Sequence, residues 1–206
     1  MLIQTSVGQP ATQSSGATPN IRSGRGGDVI YSGLHGRYYE QTYNGNVFFV
    51  ASQSVATTTT GLTTTYTGLS LSNPLGSGVN LVLLKASFNQ SVIQSTQVEA
   101  YGIATGFSAT TNPTHSAAVT PQSAKVGSGI VAKALADSSN NTLPAAPVYT
   151  HFIGATGTAT ADSTYNFVDL DGSIILMPGA FACWVTPAQA SVAGLWFSFA
   201  WEEVPV

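Results

Sequence analysis

The stretch SIILMPGAFACWVTPAQASVAGLWFSFAWEEVPV, residues 173–206, decides the fold of this chain. Its last part alternates as a half-buried strand does, with Leu195, Phe197, Phe199 and Trp201 on one face and Trp196, Ser198, Ala200 and Glu202 on the other. The tract Ile174–Met177, the dipeptide Pro178-Gly179 and the run Ala180–Val185 read as two short strands about a turn. Trp184 lies on the second of them. A single core would be densest here.

Working outward, the composition fits a β domain with few charges. Of 206 residues 43% are apolar, enough for a sizeable core, and only 7% are charged, against roughly 25% in ordinary soluble domains. Ser, Thr, Asn, Gln and Gly supply the polar remainder, a neutral and hydroxyl-rich surface suited to contacts with other subunits. The net charge is −3, and the basic residues Arg22, Arg25, Arg37, Lys85, Lys125 and Lys133 are scattered. No basic stripe is available to neutralise phosphates, which argues against a nucleic-acid partner. Cys183 is the only cysteine, in a strand-like run, and reads as a buried, inert thiol. No secretory signal is visible, and no window approaches the roughly 18 apolar residues of a membrane span. This pattern fits a protein made in a cytoplasm and released by lysis.

Residues 1–27 are rich in Ser, Thr, Gly, Gln and Pro, with Leu2, Ile3, Val7 and Ile21 as the sizeable apolar side chains. Alone, such a segment buries too little area to offset its ordering entropy. It reads as an extended N-terminal arm that anchors on a neighbouring subunit, or else as a disordered leader. Residues 28–206 form the domain. DVIYS, GRYYEQTY and NVFFVAS are expected as strands, with Asn44-Gly45 as a tight hairpin turn. Val79–Phe88 alternates Val82, Leu84, Ala86 and Phe88 against Leu81, Leu83, Lys85 and Ser87, its first part apolar on both faces as in a central strand. Residues 97–106, 148–157 and 166–170 are further strands. Residues 107–128 read as loop, and Ile130–Ala136 as a short helix or a strand. Asp171-Gly172 forms a turn that starts the next strand. Roughly eight to ten short strands with no alternating helix pattern predict an all-β fold, an antiparallel β-sandwich that is jelly-roll-like.

Chemistry finds little footing. His35, His115 and His151 stand in unrelated contexts, without the spacing of a metal motif. The nucleophile elbow G-x-S-x-G is absent. Glu202-Glu203 points its side chains to opposite faces of a strand, a poor arrangement for paired carboxylates. One of the two is expected to face solvent and the other to accept hydrogen bonds or meet a partner. No catalytic residue, cofactor or metal is assigned. Aromatic residues on both faces of one strand, Trp196 beside Phe197, instead call for a partner on the outer face. Trp196, Trp184 and Glu202 are the expected subunit contacts.

The runs GRYYEQTYNGNVFFVA (36–51), TGLSLSNP (67–74), SGVNLVLLK (77–85), DLDGSIILMPGAFACW (169–184) and FSFAWEEVP (197–205) resemble a family of small virion proteins of tailed bacteriophages and prophages. The Met177-Pro178-Gly179 turn also resembles that of trimeric tumour-necrosis-factor-like sandwiches. The resemblance implies a jelly-roll-type subunit, a homotrimer displayed on the virion after assembly in the host bacterial cytoplasm. Its partners would be copies of itself and the major capsid protein or other virion subunits, with no nucleic acid and no membrane. Two functions follow as expectations. One is a capsid decoration or cement subunit. The other is a head-fibre or tail receptor-binding module for host surface glycans. A hydrolase on a β-sandwich is a third, weaker reading.

Overall fold

The computed structural model describes residues 5–6, 21–22, 36–54, 62–93, 100–155, 165–186 and 192–206. The chain divides into two compact units, Met1–Tyr39 and Glu40–Val206, later than the boundary at Gly27 suggested by composition. In the first unit β1 (Thr5–Ser6) and β2 (Ile21–Arg22) pair in parallel. Leu2, Ile3, Val7 and the expected DVIYS strand lie outside the described residues, and of Ile21 only the backbone is described.

The run GRYYEQTY is not a strand. It forms helix α1 (Tyr39–Asn44), with Glu40 in its first turn, where a carboxylate suits the helix dipole. The predicted Asn44-Gly45 hairpin is instead the helix C-terminus. Gly45 has φ +83, its N–H donates to Thr42 O at 3.0 Å, and the Asn46 N–H donates to Gln41 O at 2.9 Å. That reciprocal pair satisfies the last carbonyls of the helix.

The strands that follow are β3 (Val47–Ala51), β4 (Thr65–Thr67), β5 (Ser70–Ser72), β6 (Val79–Gln90) and β7 (Ala100–Phe107). Short pieces come next: β8 (Thr114–His115), β9 (Ala118–Val119), β10 (Gln122–Ser123), β11 (Leu135–Asp137) and β12 (Asn140–Thr142). The last are β13 (Val148–Ala155), β14 (Tyr165–Asp169), β15 (Ile175–Leu176), β16 (Ala180–Val185) and β17 (Leu195–Pro205). Sheet I runs β10-β3-β17-β6-β14, with β15 also on β6, and sheet II runs β13-β7-β16-β5-β11-β9. A small third sheet has the order β4-β12-β8. Pairing within these three sheets is antiparallel throughout. The all-β sandwich expected from the sequence is the fold. The loop expected over residues 107–128 carries β8, β9 and β10. Residues 130–136 hold no helix, only the start of β11.

The main core lies between sheets I and II. Leu195, Phe197, Phe199 and Trp201 of β17 are all buried, while Trp196, Ser198, Ala200 and Glu202 are half-buried on the outer face, as the alternation predicted. From sheet II, Trp184 packs on Phe197 at 5.4 Å between ring centroids, and Tyr101 stacks on Phe88 of sheet I at 3.6 Å. Each such ring contributes about 1.5–3 kcal/mol through burial alone. Strand β6 departs from its predicted phase. Ala200 pairs with Lys85 but Trp201 with Leu83, so Leu84 is an inserted residue. That bulge lets Leu83 and Leu84 both be buried. The freed Leu84 carbonyl accepts from Leu170 N (2.8 Å) and Asp171 N (3.1 Å). These belong to the predicted turn, where Asp171 (φ +48) and Gly172 (φ +80) are closed by Ser173 N donating to Leu170 O at 2.8 Å.

A second, smaller core fills the space between sheet II and the third sheet. Tyr66, Ala104, Leu143, Phe181, Cys183 and Val185 form it. Strand β16 is therefore buried on both faces, which is why Ala180–Val185 reads as an unbroken apolar run.

Candidate functional site

Two places bear on function: the outer face of sheet I, and the polar seam where the third sheet meets sheet II. On the outer face the register lays Ala51, Ser198, Ser87 and Phe167 in one row, and Phe49, Ala200, Lys85 and Asp169 in the next. A third row holds Val47, Glu202, Val82 and Ile175. Ser87 and Ser198 share a hydrogen bond at 2.5 Å, and the Lys85 ammonium stands over the Phe167 ring at 4.9 Å. Phe167 and Ile175 remain about half exposed. Trp196 stands at the end of this face and its indole N–H donates to Ser91 Oγ at 2.9 Å. Flanked by Val47 and Val82, Glu202 loses hydration and its carboxyl is pushed above the usual 4.5.

Trp184 does not belong with them. It is 0% exposed, sits in the main core among Phe88, Phe197 and Phe199, and its indole N–H donates to Ser198 O at 3.2 Å. An interface role for Trp184 is thus corrected: inward alternation on β16 delivers it to the sandwich interior. Trp196 and Glu202 do share one face. Glu203, on the opposite side of β17, is the partner-seeking acid of the pair. Its carboxylate accepts from Lys133 N (2.8 and 3.1 Å), Ala134 N (3.0 Å) and the Trp201 indole N–H (3.4 Å). It fixes the segment leading into β11.

The seam brings together three residues that sequence spacing did not connect. Ser72 Oγ lies 3.1 Å from His115 Nε2, and His115 Nδ1 lies 4.0 Å from Asp137 Oδ2. This is the order of a hydrolytic triad, so its chemistry must be weighed. Ser72 is 1% exposed and its hydroxyl also reaches Leu135 O at 3.3 Å. Asp137 is fully buried and already accepts from Ala117 N (2.8 Å) and Ser139 N (3.0 Å). His115 Nδ1 has no hydrogen-bond partner, and burial holds the imidazole below its usual 6.5 while Asp137 pulls the other way. A nucleophile closed off within a sheet, with the acid too far from the base, ties layers together as folded. Asn141 Nδ2 donating to Ser70 Oγ at 2.5 Å serves the same seam. Tyr66 joins it with its hydroxyl placed between the carbonyls of Leu69 and Trp184, which compete for its one proton, and burial raises its phenol.

Cys183 is buried, its thiol directed to Ala104 O and pushed well up by burial, as an inert side chain should be. Among the described residues no group of three or more His, Cys, Asp or Glu is placed to hold a metal ion. Compared with protein-family models, with curated proteins and with solved structures, the chain matches none.

Proposed function

We propose that the chain is a structural subunit of a phage particle, a self-associating sandwich that decorates or cements the head. One observation carries the reading, the outer face of sheet I. In a two-sheet sandwich the outer face of a sheet is ordinarily polar and solvated, so apolar and aromatic side chains standing there call for cover. Among the described residues sheet II has the third sheet there, whereas sheet I presents Trp196, Phe167, Ala51, Ala200, Val82 and Ile175 around the charged Lys85, Asp169 and Glu202. Burying such a face yields about 25 cal/mol per Å² of apolar area before association costs are subtracted.

We read the winding as a jelly roll. Among the eight principal strands β3 pairs with β17, β5 with β16, β6 with β14 and β7 with β13, so that first meets eighth, second seventh, third sixth and fourth fifth. The virion setting rests on the sequence resemblance, as does an assembly of three copies.

The test is the mass of the protein in solution by light scattering, for the full chain and for Trp196→Asp. The native chain is expected to be oligomeric and the variant to fall to a single subunit. A variant with undiminished mass removes the face as a contact. Deleting residues 1–27 is expected to leave a folded domain that no longer binds particles, and full binding by the truncated chain would refute an anchoring arm.

A further inference from the structure

A hollow of about 370 Å³ opens at the β10–β3 edge of sheet I, among Phe49, Gln122, Lys125 and Ser128 with Gly127 and Ile130. We infer that it is a binding site for a saccharide unit carrying one carboxylate.

Its volume falls in the range of small-ligand sites, roughly 300–1,000 Å³. Its lining divides between apolar and polar groups, which suits a ligand with one C–H face and a rim of hydroxyls. Phe49, 40% exposed, supplies the ring surface on which a pyranose can lay its C–H face. Gln122, on the paired strand directly beside Phe49, and Ser128 supply amide and hydroxyl groups for the sugar's own hydroxyls. Lys125 is the one charged side chain among the lining residues. Its ammonium is held in place, donating to Tyr43 O at 2.9 Å and lying 4.5 Å from the centre of the Tyr43 ring. An ammonium has three donors, so the Tyr43 carbonyl uses one and an anionic ligand can take another.

The charge count selects the ligand class. A phosphate ester carries nearly two charges and is recognised by forked guanidinium groups or several cations. The one ammonium, held on the Tyr43 carbonyl and ring, matches a monoanion. The exposed Phe49 ring of the hollow supplies the apolar face that a uronic acid would lie on. The loop itself is built for close approach. At Gly127 (φ +82) and Gly129 (φ +72) a Cβ would meet nothing within 4 Å, so the main chain there is open to the hollow's surroundings.

The site lies within one chain and does not rest on the proposed assembly. The experiment is saturation-transfer NMR on the full chain with an oligomer of glucuronic acid and with the glucose oligomer of the same linkage. The acidic oligomer is expected to bind more tightly than the neutral one. A charge-assisted hydrogen bond of about 1.5–3 kcal/mol corresponds to roughly ten- to hundredfold. Lys125→Gln should abolish the difference between the two sugars, and Phe49→Ala should weaken both by up to about tenfold, on the scale of one lost stacking contact. Gln122→Ala, on the exposed rim, supplies a second variant with little risk to the fold, checked by an unchanged far-UV spectrum. Absence of saturable binding, equal affinity for both oligomers, or affinity undiminished in both Phe49→Ala and Gln122→Ala would each overturn the site.

Discussion

Trp184 separates core from contact at the level of a single side chain. With no exposed surface and four aromatic neighbours, its truncation to Ala should cost about 3–5 kcal/mol, read as a lower midpoint in urea. Subunit mass under native conditions should not change, the opposite of the outcome for Trp196→Asp. Two titrating residues make separable marks on stability. His115 is held below 6.5 mainly by burial, so the unfolded chain takes the proton first and stability falls as pH drops from about 6.5. The fall ends once the folded imidazole is protonated too. Glu202, raised above 4.5 by desolvation, acts in reverse. The folded chain takes that proton first, and stability is lost as pH rises through the raised value. Thermal midpoints measured from pH 7.5 to 4 should lose the first slope in His115→Asn and the second in Glu202→Gln. The seam residues were not legible in the sequence. Ser72 and His115 are 43 positions apart, and the three side chains meet only because β5 and β11 pair in sheet II while β12 holds β8 in the third sheet against them. A serine-rich chain offers too many such triples for spacing to choose among them.

At the scale of elements, legibility followed length. Strand β17 is long enough for period-two burial to show, and its inward and outward sets were read correctly, residue by residue. The strands β8, β9 and β10 have two residues each, too few to alternate, and their stretch looked like loop. Helix α1 was misread because its tyrosines favour strands and because Asn-Gly signals a hairpin as well as a helix end. Six residues give no helical period to set against those signals. The Gly45 conformation provides a test. Gly45→Ala places a Cβ at φ +83 and against the Ile130 side chain, and should destabilise the domain by about 1 kcal/mol. Equilibrium denaturation of the purified variant would measure it. A change within error would mean that the helix end relaxes freely.

For the molecule as a whole, the described residues of the sandwich leave one outer surface protected and one open. The third sheet covers part of sheet II through Tyr66, Leu143 and the seam, while sheet I turns its outer face outward. Function is therefore argued from surfaces, and its decisive measurement is assembly. If the face around Trp196 closes subunit contacts, Phe167→Asp, two strands away on the same sheet, should lower the native mass as Trp196→Asp does. Light scattering on both variants would show whether the contact spans the sheet or stops at Trp196. The composition had pointed to a surface poor in charge, but which surface stayed uncovered depended on the third sheet. Its strands of two or three residues were too short to be read.

The pairing of β3 with β17 also sets an order of events in time. Val47–Ala51 must wait for Leu195–Pro205, and Ser70–Ser72 for Ala180–Val185, before either is paired on both edges. During synthesis the early strands therefore leave the ribosome with their edges bare, and the central ladder closes only after β17 is made. Loop closures of this span are slow. Release of a nascent chain before β17 would leave Phe48, Val50, Leu81 and Leu83 without the strand that covers them, a species open to aggregation and to cellular proteases.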